Sequence, residues 1–144
     1  VGKIAIGDLI HELQKDSNLN SILSLKNSSF KSLLDFIATH QNNTFKSPKN
    51  SLNIYDLAVF IGYFINVFPD EVYLHSGTYV GAEKLIHNMN LHNQTTLSMD
   101  DIKQHNTSLY NALQSLQPHA AYAEDFFCLA KTGSINVCAP KKGC

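Results

Sequence analysis

The chain has 144 residues, 44% of them hydrophobic and 16% charged, with a formal net charge of −1. That length suits one domain with a real core, and the charged fraction lies below the roughly 25% usual in globular chains. A near-neutral chain has no global field to recruit nucleic acid or an anionic membrane, which argues against both as partners.

Ile6, Leu9, Ile10 and Leu13 recur at helical spacing, with Asp8, His11, Glu12 and Lys15 opposite. This predicts a first amphipathic helix over 4–15. Ser17-Asn18 can cap a short second helix carrying Leu19, Ile22 and Leu23. Ser28 or Ser29 can cap a third, in which Phe30, Leu33, Leu34 and Ile37 form one stripe that stops near His40–Asn43. The polar stretch 42–50, which holds Pro48, reads as a surface loop.

Ser51 or Asn53 then starts the most informative segment, whose run Leu57–Ile65 carries no charge and is apolar on every side. A segment of that kind is expected to be enclosed, which predicts a buried central helix over about 51–68. Its β-branched and aromatic residues would also suit a strand, but it is too long for one. The apolar stretch is about half the roughly 20 residues that span a bilayer, and Asp56, Asp70 and Glu71 close around it, so no membrane span is expected. Pro69 is expected to end the helix, because the residue before proline is pushed out of the helical region.

Residues 70–74 read as a connector or a short turn of helix. From Thr78 a helical pattern resumes, with Ala82, Leu85, Ile86 and Met89 on one face. Ser98-Met99-Asp100-Asp101 has the form of an acidic capping box. Leu109, Ala112, Leu113 and Leu116 mark a further helix, and Pro118 suits the first position of a last one over about 118–131, ended by Gly133. The expected architecture is all-α, a compact single-domain bundle of about seven or eight short helices. The helical domain covers 1–133, and an irregular tail containing Cys138, Lys141, Lys142 and Cys144 covers 134–144.

The most unusual local text follows the apolar run: His75-Ser76-Gly77-Thr78. Hydroxyls and free backbone N–H groups at a helix N-terminus stabilise an anion, and His75 beside them can act as acid, base or donor. These four residues are the candidate ligand-binding site. The plainer reading makes Ser76 or Thr78 an N-cap, with Gly77 and Gly81 allowing close helix contact. The layout is superficially similar to a helix-hairpin-helix DNA-binding motif. Ser76 and Thr78, however, stand where that motif's hairpin glycines approach phosphate, and the net charge argues against it.

Other chemistry has little text to support it. Seven histidines, at 11, 40, 75, 87, 92, 105 and 119, lack metal-ligand spacing, and no Cys-x-x-Cys occurs. Cys128 lies in a helical pattern one turn after Glu124 and Asp125, carboxylates that disfavour a thiolate. It reads as a small buried hydrophobe. No Walker-type loop, Gly-x-Ser-x-Gly elbow or cofactor motif is present, and no cofactor is expected. Cys138 and Cys144 could bridge in a secreted chain, and sequons begin at Asn27, Asn42, Asn93 and Asn106, though a chain rich in Asn, Ser and Thr yields several by chance. The opening Val1-Gly2-Lys3 has no Met and no h-region.

The functional expectation is a non-enzymatic helical interaction module that binds a protein or peptide partner in a groove between helices. The alternatives are a small enzyme or anionic-ligand binder at His75–Thr78, and a weak nucleic-acid-binding domain using the same turn. Oligomeric state and compartment have no signature in the text.

Overall fold

The computed structural model describes residues 2–41, 51–116 and 120–133. Backbone contacts group the chain into two compact units, Val1–Asp70 and Glu71–Cys144. Eight helices among the described residues bear out the helical class, accompanied by one small sheet. The 42–50 loop, Pro118 at the start of the last helix, and the 134–144 tail with Cys138 and Cys144 lie outside the described residues.

The first unit holds α1 (Gly2–Leu13), α2 (Asp16–Ser24), α3 (Phe30–Thr39) and α4 (Leu52–Ile65). Helix α2 starts before the expected Ser17-Asn18 cap: Lys15 is its N-cap, without a side-chain cap bond, and Asp16 supplies an acid to the first turn. Asn18 is engaged elsewhere, its Nδ2 donating to the Glu12 carbonyl at 2.9 Å across the α1–α2 corner. Helix α3 begins as expected, with the Ser29 hydroxyl accepting from the Ser32 N–H at 3.2 Å. It buries Phe30, Leu33, Leu34, Ile37 and Ala38, and packs on α4. There the Phe30 and Tyr55 rings meet edge to face with centroids 5.7 Å apart.

Helix α4 departs from expectation in two ways. It stops at Ile65, three residues short of the expected end, because Asn66 turns into the left-handed region (φ 57°) and the Val67 N–H bonds back to the Gly62 carbonyl at 2.9 Å. This is a Schellman-type closure in which Asn takes the place more often held by Gly. Pro69 therefore follows the termination rather than causing it. The same closure needs a glycine upstream, since a Cβ on residue 62 would lie 2.2 Å from the Val67 carbonyl oxygen. Second, the helix is not enclosed. Ile54, Tyr55, Ala58, Gly62 and Ile65 form its buried face, while Phe60, Tyr63 and Phe64 are exposed.

The second unit opens with β1 (Glu71–Tyr73), paired antiparallel with β2 (Thr96–Ser98), where a connector or helical turn was expected. Val72 lies opposite Leu97, and both are fully buried. Helices α5 (Ser76–Leu85), α6 (Met99–His105), α7 (Thr107–Leu116) and α8 (Ala120–Thr132) complete it. The capping box forms as the text implies: the Ser98 hydroxyl accepts from the Asp101 N–H at 3.0 Å and the Asp101 carboxylate accepts from the Ser98 N–H at 3.1 Å. Val72, Ala82, Ile86, Leu97, Ile102 and Phe127 centre the core of this unit.

Helices α5 and α8 approach closely because α5 presents glycine at the crossing. A Cβ on residue 81 would sit 1.8 Å from the Phe127 carbonyl oxygen, a rigid backbone atom. Gly81→Ala must push the helices apart and is expected to destabilise this unit by about 1–3 kcal/mol, the cost of overpacking a filled core. At Gly7 in α1 a Cβ would meet nothing within 4 Å, so Gly7→Ala is expected to stabilise by about 0.5–1 kcal/mol through helix propensity. Urea denaturation of the two variants checks the contrast in sign.

Candidate functional site

The residues singled out in the sequence lie at the start of α5, and the fold treats them unequally. His75 is the N-cap in extended conformation, makes no side-chain cap bond and is buried. Ser76 is exposed. Gly77 is half-buried against α8, where a Cβ would come within 3.0 Å of the Cys128 sulfur. Thr78 is fully buried, and its hydroxyl donates to the Glu124 carboxyl group of α8. The structure thus joins Thr78 to Glu124 and Gly77 to Cys128, and leaves Ser76 in solvent.

In the sequence Glu124 reads only as a carboxylate one turn before Cys128, not as a partner of this turn. Its signal is positional: in α8 it falls on the face of Ala120, Ala123, Phe127 and Ala130, all of them buried. An acidic side chain on an apolar stripe needs an internal partner, because an unsatisfied buried carboxyl is costly. At the other end of the same crossing, the Lys84 ammonium donates to the Lys131 carbonyl at 3.0 Å, placing a cation at the C-terminus of α8. Tyr79 follows the turn, and its phenol is pushed up from its ordinary value, first by the hydrogen bond with Glu83. Among the described residues no group of three or more His, Cys, Asp or Glu is arranged to hold a metal ion.

A second feature lies in the first unit. Helices α1, α2 and α4 enclose a groove with a cavity volume of about 440 Å³. Ile10 and Leu13 from α1, Leu19 and Leu23 from α2, and Phe60 and Phe64 from α4 line it, and Gln14 is the one polar side chain in its wall among the described residues. Several of these side chains stand well out in solvent: Leu23 is 62% exposed, Phe60 62% and Phe64 77%. The Phe60 and Phe64 rings, one turn apart, contact edge to face at 5.2 Å.

The α1–α2 corner holds the wall in place. The Lys15 ammonium meets the Glu12 carboxylate at 2.5 Å, beside the Asn18 bond to the Glu12 carbonyl. The hydrogen bond from Lys15, ahead of other causes, lowers the Glu12 carboxyl below its ordinary range. A depressed folded-state value means that this contribution is full above the unfolded value and is lost as pH falls through the folded one. The pair is solvent-exposed, so the contribution is small.

No protein-family model matches this chain, and neither the curated proteins nor the solved structures compared with it gave a match. Among the described residues no helix is long and apolar enough to cross a membrane.

Thr78→Val is expected to lower the stability of the second unit by about 1–3 kcal/mol, because it withdraws a donor from a buried acidic side chain while preserving shape. Thr78→Ser keeps the donor and is expected to cost less. Chemical denaturation of the two variants measures the difference; equal losses would mean that the methyl group, not the hydrogen bond, matters there.

Proposed function

We propose that the chain is an interaction module that docks the apolar face of a partner helix in the groove formed by α1, α2 and α4. The observation that carries this reading is the groove itself: a recess walled by leucine, isoleucine and phenylalanine, flanked by exposed aromatic side chains. Contiguous exposed apolar surface of this kind marks association sites in soluble domains. Helix-in-groove recognition uses anchors spaced i, i+3, i+4 and i+7, which a wall made of three helices can receive. Phenylalanine suits the anchor role because it presents a large area with few rotatable bonds.

The turn at His75–Thr78 supports the alternative of an anionic ligand less well. Its buried hydroxyl is committed to the Glu124 carboxyl group, which leaves Ser76 as the exposed hydroxyl of the turn. The same commitment withholds the Thr78 donor from a nucleic-acid phosphate.

The test is a polarisation titration with a fluorescein-labelled amphipathic peptide of about 16 residues, leucines on one face, which as a helix spans about 24 Å. Saturable binding is expected. Phe64→Asp and Leu23→Asp should each weaken it about tenfold or more, the loss typical of truncating a central anchor. Both positions are exposed, so the far-ultraviolet circular dichroism should not change. Absence of saturable binding by the monomeric chain, or equal affinity in both variants, would refute the reading.

A further inference from the structure

We infer that the occupant of this groove is a second copy of the chain, whose first unit docks isologously, inserting Phe60 and Phe64 into the partner's recess and receiving the partner's pair in its own. This rests on the reading above that the groove takes an apolar helix face, and it names the partner.

Three observations favour a second copy over an unrelated peptide. The first is that knob and recess lie on the same face. Phe64 is the most exposed of the large apolar side chains among the described residues, and it borders the cavity that it also helps to line. A two-fold interface requires one patch to be complementary to itself, with residue i meeting j and j meeting i. A lone helical peptide would fill the recess and meet Leu23 and Phe64 there, but it offers no recess of its own to receive the Phe60–Phe64 edge. A second copy supplies a recess for each knob.

The second observation is charge. Two-fold symmetry brings each charge on a patch near its own copy or near a symmetry-related neighbour, so a patch of one sign repels itself. Among the described residues the lining of this groove carries no ionised side chain. Beside the lining residues Leu13 and Gln14 in the chain, Glu12 and Lys15 are paired with each other at 2.5 Å. An uncharged lining meets its own copy without like-charge repulsion and offers no charge by which to select a charged partner.

The third is area. Ile10, Leu19, Leu23, Phe60 and Phe64 are all among the exposed large hydrophobic residues. With aromatic side chains worth roughly 150–250 Å² each when fully buried, the five together present on the order of 500 Å². Complete burial of these surfaces on both copies would remove about 1,000 Å² from water, the size at which a specific interface begins.

Sedimentation equilibrium of the full chain, from low to high micromolar concentration, tests the inference. The wild type is expected to dimerise. Phe64→Lys should raise the dimer Kd at least about tenfold, because symmetry introduces the charge twice. Leu23→Lys should act in the same direction, while Tyr122→Lys, on an exposed position of α8 in the other unit, should not. All three substitutions are at exposed positions, and the circular dichroism spectrum verifies that each variant keeps its helices. A dimer that resists both Phe64→Lys and Leu23→Lys overturns the inference. So does a chain that stays monomeric throughout, and the labelled helical peptide then separates two cases. A monomer that binds the peptide removes the second copy and leaves the groove reading standing; a monomer that does not bind it removes both.

Discussion

Helix α4 carries more apolar surface than its own unit covers, and the character of the first unit follows from that. Its residues are apolar on every side, yet a helix packs a face, not its circumference. Packing with α3 uses the side that holds Ile54, Tyr55, Ala58 and Gly62, where the close approach of small residues lets Leu33 and Phe30 reach in. The opposite side keeps Phe60, Tyr63 and Phe64. Helices α1 and α2 flank this side without closing over it, held at their corner by Asn18 and the Glu12–Lys15 pair. The groove is the space left between a helix that is apolar all round and neighbours that cover only part of it.

The second unit solves the opposite problem. Its difficulty is a polar one, an acidic side chain at position 124 inside an apolar core. The solution depends on two glycines one turn apart in α5. Without a Cβ at Gly81 the backbone of α8 can come to van der Waals contact, and at Gly77 the Cys128 sulfur fills the place of a side chain. Only at that separation does the short Thr78 side chain reach Glu124. The glycines, the threonine and the glutamate are therefore one device, and changing the spacing changes the hydrogen bond. A polar group satisfied in this way favours one packing arrangement over near alternatives, because a slip of α5 along α8 breaks the Thr78–Glu124 hydrogen bond.

These differences explain what was legible in the text. Local signals were readable where the physics is local: the Ser29 cap and the Ser98–Asp101 box follow from a few adjacent residues and formed as the spacing implied. Helical class followed from periodicity. The end of α4 was misplaced because the terminating event is Asn66 adopting a left-handed conformation, which Pro69, the stronger textual signal, obscured. Strands of three residues, as in Glu71–Tyr73, are too short to display alternation. At the His75–Thr78 turn the text singled out an unusual segment, but the burial of Thr78 depends on α8, some 46 residues further along. Periodicity also says which residues are apolar, not how many neighbours will arrive to cover them, so the exposed face of α4 could not be read from the run itself.

For the docking proposed at this groove, area alone does not set affinity, because association costs overall freedom and the ordering of side chains. Here the ordering cost is low where it matters: Phe60 and Phe64 already brace each other edge to face on a regular helix, and each has only two side-chain torsions to fix. A flexible side chain of similar area at position 64 would contribute the same apolar surface and lose more entropy on docking. The aromatic pair on α4 is thus the element of this incompletely covered helix on which the proposed association rests.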